Sequence, residues 1–453
     1  MFRLLTLAVF ISLCSLSITR ASVVAIIDSG VDYRHEAIAP NNQWKNPIDS
    51  WNNDEDEDGN GLVDDTYGWN FAENNKMVID YKYLGTFSRD VYKFFDVQLK
   101  MMLGTASDAD VKWMRAKRGD EEFIKELSKF ANFVHGTHVA GISVKDSAAK
   151  ELAVKLIPTE VGSFVGKYNS LHWEAINSGE LKDGINDFLI RLLINQLVKQ
   201  QMDQLEVIGQ YVDSHKAHVA NGSFGTGWAQ AEMICKMFLG EDAEEGSVYD
   251  CAEYFMTSLV NEGLRFVRAA PNTLFVFAAG NSGTDNDVYP TSPANIQSHN
   301  TMAVAALLDL ETIAPFSCYG VEHVDVAAPG VGITSSIPGD EYLKVSGTSQ
   351  AAPYVTNVAA RVFDLNNHLG PAEIKRIIME TVDKKDYLAN KVRSGGLVNL
   401  KRALRAAELS SEYALHRSIE MARTEVPDQQ QDKSVVLPQA GNFVLPLPSF
   451  FSL

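Results

Sequence analysis

Three side chains set far apart in the chain could together carry out acyl transfer: Asp28, His135 and Ser349. A serine hydroxyl is a weak nucleophile at neutral pH. It needs a base to take its proton, and the base needs a carboxylate to hold its tautomer and stabilise its charge. Each falls in a short glycine-bearing motif: Asp28 in AIIDSGVD, His135 in HGTHVAG, Ser349 in SGTSQAAP. Asn281, in AAGNSG, offers a side-chain amide to the oxyanion that attack on a carbonyl creates. A serine at a helix start adds backbone N–H groups aimed at the same charge.

These residues need a scaffold that gathers them. Val23 to Ile27 is an unbroken apolar run rich in β-branched residues, which reads as a buried parallel strand ending at Asp28. Further strands are expected at 152–157, 218–221, 274–279, 302–307 and 323–327. Helical spacing marks 88–103 and the approach to His135 through Phe123, Ile124, Leu127, Phe130 and Ala131. It also marks 183–208, with Ile185, Phe188, Leu189, Leu192, Leu193 and Leu197 on the apolar face. Strands alternating with helices predict an α/β fold with a mostly parallel central sheet flanked by helices. In such sheets, sites gather at the carboxyl ends of strands. His135 is expected where a loop gives way to a helix, and Ser349 at a helix start. Pro353 falls early in that helix, where a missing N–H costs least.

Other roles exist for these residues one at a time. Asp28 could shape a turn, and Ser349 could cap a helix. His135 and His138, three apart, could share a metal as in a zinc hydrolase, but no third ligand is evident nearby. His138 reads as the structural histidine, buried against the sheet. A relative with the same fold and no catalysis is a further alternative.

Taken together and in order, the four motifs resemble those of the subtilisin-like serine proteases, the subtilases. The 221–225 stretch (NGSFG) resembles the family's substrate-lining strand. AAPG at 327–330 and SGGLVN at 394–399 are weaker matches. The resemblance spans about 22–410 and implies a three-layer subtilisin-like fold and an endopeptidase acting on protein or peptide substrates. It implies Asp28 as orienting acid, His135 as general base and acid, and Ser349 as nucleophile. Asn281 and the Ser349 amide would form the oxyanion hole. Ser223, Phe224 and Gly225 would pair with substrate backbone as an added strand.

The chain departs from the family in four places. Gln350 stands where methionine is usual, and Tyr354 where histidine is common. Asp28 and His135 are 107 residues apart, leaving room for a helical insert at about 81–132. The first strand also begins soon after an apparent signal. Arg3, an apolar run and small residues at Thr19 and Ala21 read as a secretory signal peptide over 1–21. The expectation is an exported protein, extracellular or periplasmic, with no evident inhibitory propeptide between signal and strand.

Residues 54–65 (DEDEDGNGLVDD) hold seven acids in twelve positions. Asp54, Asp56, Asp58, Asn60 and Asp65 fall near the ligand spacing of a calcium loop, with Gly59 at the turn. A structural calcium would relieve the repulsion among these carboxylates; a turn-rich feature of the family and a solvated acidic loop are the alternatives.

The 453 residues carry a formal charge of −18, with 45% hydrophobic and 22% charged residues. This is globular composition with enough apolar material for a large core, and the acidic balance excludes a nucleic-acid binder. No apolar run after residue 20 is long enough to span a membrane. The length suggests three domains. The motif positions suggest instead one enlarged catalytic domain, monomeric, over 22–410, followed by a loosely structured tail over 411–453. Removal of 1–21 leaves three cysteines, of which Cys235 and Cys251 flank a polar turn and are the pair best placed for a disulfide.

Overall fold

The computed structural model describes residues 21–161, 183–430 and 444–449; residues 1–20 of the expected signal lie outside it. Its centre is a ten-stranded sheet, and a two-stranded hairpin lies apart from it; the twelve strands are numbered in chain order. They are β1 (Val23–Asp28), β2 (Gly68–Asn70), β3 (Lys150–Lys155), β4 (Val219–Gly222), β5 (Leu274–Ala278) and β6 (Thr301–Asp309). Then come β7 (Thr312–Ile313), β8 (Val326–Pro329), β9 (Ile333–Ile337), β10 (Glu341–Val345), β11 (Asp383–Lys384) and β12 (Gly396–Leu397). The large sheet has the order β11-β12-β8-β6-β5-β4-β1-β3-β2, with β7 added to β6. Only the β6–β7 and β11–β12 pairs are antiparallel in it. Strands β9 and β10 form a separate antiparallel hairpin. The mostly parallel α/β sheet expected from the sequence is therefore present. Strand β1 is buried throughout because β3 and β4 flank it and helices cover both faces.

Ten helices are named here: α1 (Arg89–Met102), α2 (Asp108–Arg118), α3 (Glu121–Val144), α4 (Asp183–Ser214) and α5 (Trp228–Leu239). The others are α6 (Glu245–Arg268), α7 (Thr348–Leu365), α8 (Pro371–Glu380), α9 (Leu400–Leu409) and α10 (Leu415–Glu425). Helices α1 to α3 share an apolar cluster of their own, built on Phe94, Phe95, Phe123, Phe130 and Phe133. A disulfide joins Cys235 of α5 to Cys251 of α6, and Cys318 is free and buried. No helix among the described residues is long and apolar enough to cross a membrane.

Three local expectations need correction. His135 does not mark a loop-to-helix junction: α3 starts at Glu121, capped by the Asp120 carboxylate, and runs unbroken through it. Its buried positions Phe123, Leu127, Phe130 and Val134 continue at helical spacing, so nothing stops the helix. On α4, Phe188 and Leu192 are exposed, and the buried face carries Ile190, Ile194, Leu197 and Val198. The stretch after 410 is not uniformly loose. Helix α10 buries Ile419 and Ala422 against α9, and Arg402 clamps the following turn through the Val426 carbonyl and Asp428.

One buried acid stands out on β3. Glu151 lies next to Val24 of β1, and neither carboxyl oxygen has a partner among the described residues. Burial pushes its pKa up from 4.5 to about 8. The folded state therefore holds a proton that the unfolded chain has lost between those pH values. The contribution of this one group to stability is full below pH 4.5 and declines as pH rises toward 8, by about 3 kcal/mol at neutral pH. Glu151→Gln is expected to raise Tm at pH 7.5 and leave it level with wild type at pH 4.5. A Tm difference of the same size at both pH values would contradict this.

Candidate active site

The carboxyl end of β1 delivers Asp28 into the interior, fully buried. Its Oδ1 lies 2.7 Å from His135 Nδ1. The Ser29 amide and hydroxyl donate to that same oxygen at 2.7 and 3.2 Å. Oδ2 has no hydrogen-bond partner among the described residues, so the ring and Ser29 are the groups that meet this carboxylate. Such a pair sets the histidine's tautomer: Nδ1 carries the proton and Nε2 is left free to act as base.

This contact requires two backbones to touch. Gly136 follows His135 on α3, and a Cβ placed there would stand 2.2 Å from the Gly30 carbonyl oxygen. Gly30 itself has φ +115°, a conformation that glycine tolerates. Two glycines thus let the helix press onto the turn that holds Asp28. His138, one turn further along α3, has different partners. Its Nε2 donates toward the carbonyls of Ile333 and Leu343, on the hairpin and not on the main sheet as expected. Burial lowers its pKa to about 4, so it stays neutral and holds the hairpin down.

Ser349 is the second residue of α7, with its side chain beside the end of β4. Its hydroxyl donates to the Ser223 carbonyl at 3.4 Å, and no bond to His135 Nε2 is formed among the described contacts. Long or misaligned catalytic hydrogen bonds are common without substrate. Pro353 lies inside α7, not at its first turn, so the Ser349 carbonyl loses its helical donor. The Ser223 hydroxyl replaces it at 3.1 Å. Ser223 also accepts from Asn221 Nδ2, and Asn221 accepts from Thr356 Oγ1, which ties β4 to the serine helix. Asn281 sits just beyond β5. Its Oδ1 accepts from both the amide and the hydroxyl of Thr348, at 2.9 and 2.8 Å. Two donors on the oxygen leave the amide nitrogen facing the cleft.

The subtilase family model matches residues 19–399. The chain belongs to the subtilase family. This subtilase is 35% identical over 184 residues to alkaline elastase YaB of Bacillus sp. (strain YaB), covering 40% of this chain and 43% of that one. It is 24% identical over 403 residues to subtilisin-like protease 1 of Plasmodium vivax, covering 85% of this chain and 47% of that one. The chain thus spans less than half the length of these relatives. Among solved structures, a cold-adapted subtilisin-like serine proteinase aligns with TM-score 0.42 and 18% identity, over 83% of this chain and 89% of that one.

Of the residues expected to bind substrate, Ser223 and Phe224 are buried. Phe224 turns into the core beneath β4, and the Ser223 hydroxyl is used on α7. The Gly225 amide donates to the Pro448 carbonyl at 2.9 Å. In the acidic loop, Asp56 and Asp58 come together with Asp49, and Asp58 also meets Asp65 and His215. Asp54 is not among these groups: its side chain is 93% exposed and reaches Lys76 at 4.0 Å. A positive φ at Asp54 turns it outward. Asn60 donates to Asp58 and Asp65. Burial, with Asp65 and Asp58 close by, pushes Asp49 up to about 6 despite amide donors from Asp58 and Glu57. Burial also acts on Asp65, but hydrogen bonds from His215, Asn46 and Asn60 hold it below the usual range.

Four further residues join the candidate sites without having been marked by the motifs. Thr348 adjoins the serine and orients Asn281. Ser29 adjoins the acid. Asp49 lies upstream of the acidic run, and His215 follows directly after α4. The first two were visible as neighbours of the motifs; the others are joined only by folding. Gly136→Ala is expected to push α3 off the Gly30 turn and open the Asp28–His135 contact. A displacement near 1 Å would lower kcat about 100-fold with little change in KM. Steady-state kinetics on a peptide substrate checks this, and a wild-type kcat would contradict it.

Proposed function

We propose that this subtilase is an exported serine endopeptidase, acting as a monomer on peptide bonds through Asp28, His135 and Ser349. The observation that carries the reading is the 2.7 Å contact of His135 Nδ1 with the buried Asp28 carboxylate. It leaves Nε2 unprotonated for the serine. Ser349 Oγ adds to the substrate carbonyl carbon while His135 takes the hydroxyl proton. The tetrahedral oxyanion is met by Asn281 Nδ2 and the Ser349 amide. His135 then gives its proton to the leaving amine, which leaves an acyl-enzyme on Ser349. Water, deprotonated by His135, releases the acid and restores the serine. Gly225 offers its backbone to the substrate strand. Export is supported by the pattern at 1–21 and by the Cys235–Cys251 disulfide, which belongs to an oxidising compartment.

The same reading assigns calcium to Asp49, Asp56 and Asp58. The donors are all carboxylate oxygens, which suit a hard cation. Asp49 Oδ2 is buried and has no hydrogen-bond partner among the described residues. A cation there would hold the loop ahead of β2, and Asp65 beside it would add charge. The ion takes no part in the chemistry.

Two outcomes are expected. Ser349→Ala and His135→Ala each abolish casein cleavage while circular dichroism stays native; undiminished activity in either purified variant would refute the triad. Calcium raises Tm at pH 7.5, and less so below pH 6, where a proton holds Asp49. Asp58→Asn removes the effect. A Tm indifferent to calcium and to chelator would exclude the site.

A further inference from the structure

The groove in front of Ser349 is filled by the chain itself. Asn281 Nδ2, the donor turned toward the oxyanion position, is spent on the carbonyl of Leu445 at 3.0 Å. The Gly225 amide, on the edge that would take a substrate strand, donates to the Pro448 carbonyl at 2.9 Å. The hydroxyls of Thr226 and Ser449 meet at 3.4 Å. Leu445 packs against the aromatic cluster of α1 to α3, and Leu447 is buried in the main core. A Cβ on Gly225 would stand 2.7 Å from the Ser292 carbonyl oxygen and 3.2 Å from Leu447 Cδ1, so the glycine is set by the Ser292 backbone first and lies against this leucine as well.

We propose that residues 444–449 form an intramolecular inhibitor: an uncharged leucine–proline peptide that occupies the catalytic groove and competes with substrate. The proposal rests on the peptidase reading of that groove.

Both groups that a substrate backbone would use are engaged at once, one at each end of a four-residue stretch. The sequence of the stretch sets how weakly it is held and explains why it escapes cleavage. Pro446 and Pro448 have no N–H, so they return no hydrogen bond to the groove. A substrate with ordinary amides there gains bonds that the tail lacks and can displace it. The bond after the held carbonyl is Leu445–Pro446. Its nitrogen carries a ring carbon where a secondary amide carries hydrogen, which crowds the side from which His135 must protonate a leaving amine. A weak peptide suffices because it is tethered, and tethering supplies an effective concentration near the millimolar range.

The test compares three forms: the full chain, a chain ending at Gln430, and full-length Leu447→Asp. Ending at Gln430 keeps the contacts of Asp428 with Arg402 and of Gln429 with Asp383. Both altered forms are expected to show KM lowered about tenfold with kcat unchanged, given tethering near 1 mM. The synthetic hexapeptide Val-Leu-Pro-Leu-Pro-Ser is expected to inhibit the shortened chain competitively. Equal KM in all three forms would overturn the inhibitor and leave the peptidase reading standing. No turnover in any form, with no fluorophosphonate adduct on Ser349, would overturn both.

Discussion

Everything at this site depends on how close a helix can come to the end of a strand. Asp28 is fixed by β1, which is buried between its neighbours. His135 is fixed by α3. The 2.7 Å bond between them exists because Gly136 presents no side chain to the Gly30 carbonyl. A buried carboxylate is costly unless it is paired or hydrogen-bonded. Here Ser29 supplies part of that pairing and the imidazole the rest. The constraint therefore serves stability and chemistry together: the acid is tolerated inside because the base is there.

The remaining parts are arranged around that pair by short polar ties. Pro353 frees the Ser349 carbonyl, and Ser223 occupies it. Thr348 holds the oxygen of Asn281, so that its nitrogen faces the groove. His138 and the hydroxyls of Ser335 and Ser336 hold the β9–β10 hairpin against α3. The insert does more than lengthen the chain. Its last helix is the helix that carries His135, and its aromatic cluster meets Leu445 at the groove. The insert, the base and the tail segment are thus one connected surface.

Much of this was legible in the residues. The β-branched run before Asp28 announced a buried strand, and the alternation of strands and helices announced the sheet. The motifs picked out Asp28, His135, Ser349 and Asn281, the residues proposed as acid, base, nucleophile and amide donor. What the sequence concealed has a physical reason in each case. HGTHVAG looks like a loop because glycine disfavours helix interiors, yet Gly136 is needed there for contact across the chain. Phe188 and Leu192 sit at helical spacing but on the exposed side of α4, since spacing gives a face and not its direction. The acidic run pointed to Asp54, whereas the fold turns that residue outward and brings in Asp49 and His215. The Leu-Pro-Leu-Pro stretch resembles a loose tail because its order comes from the groove and not from local bonding.

The central claim is that Asp28 holds the proton of His135 on Nδ1. Proton NMR of that N–H tests it most directly. The account predicts a signal far downfield of the amide envelope, kept in Ser349→Ala and lost in Asp28→Ala. A spectrum with no such signal, or one unchanged in Asp28→Ala, would contradict it.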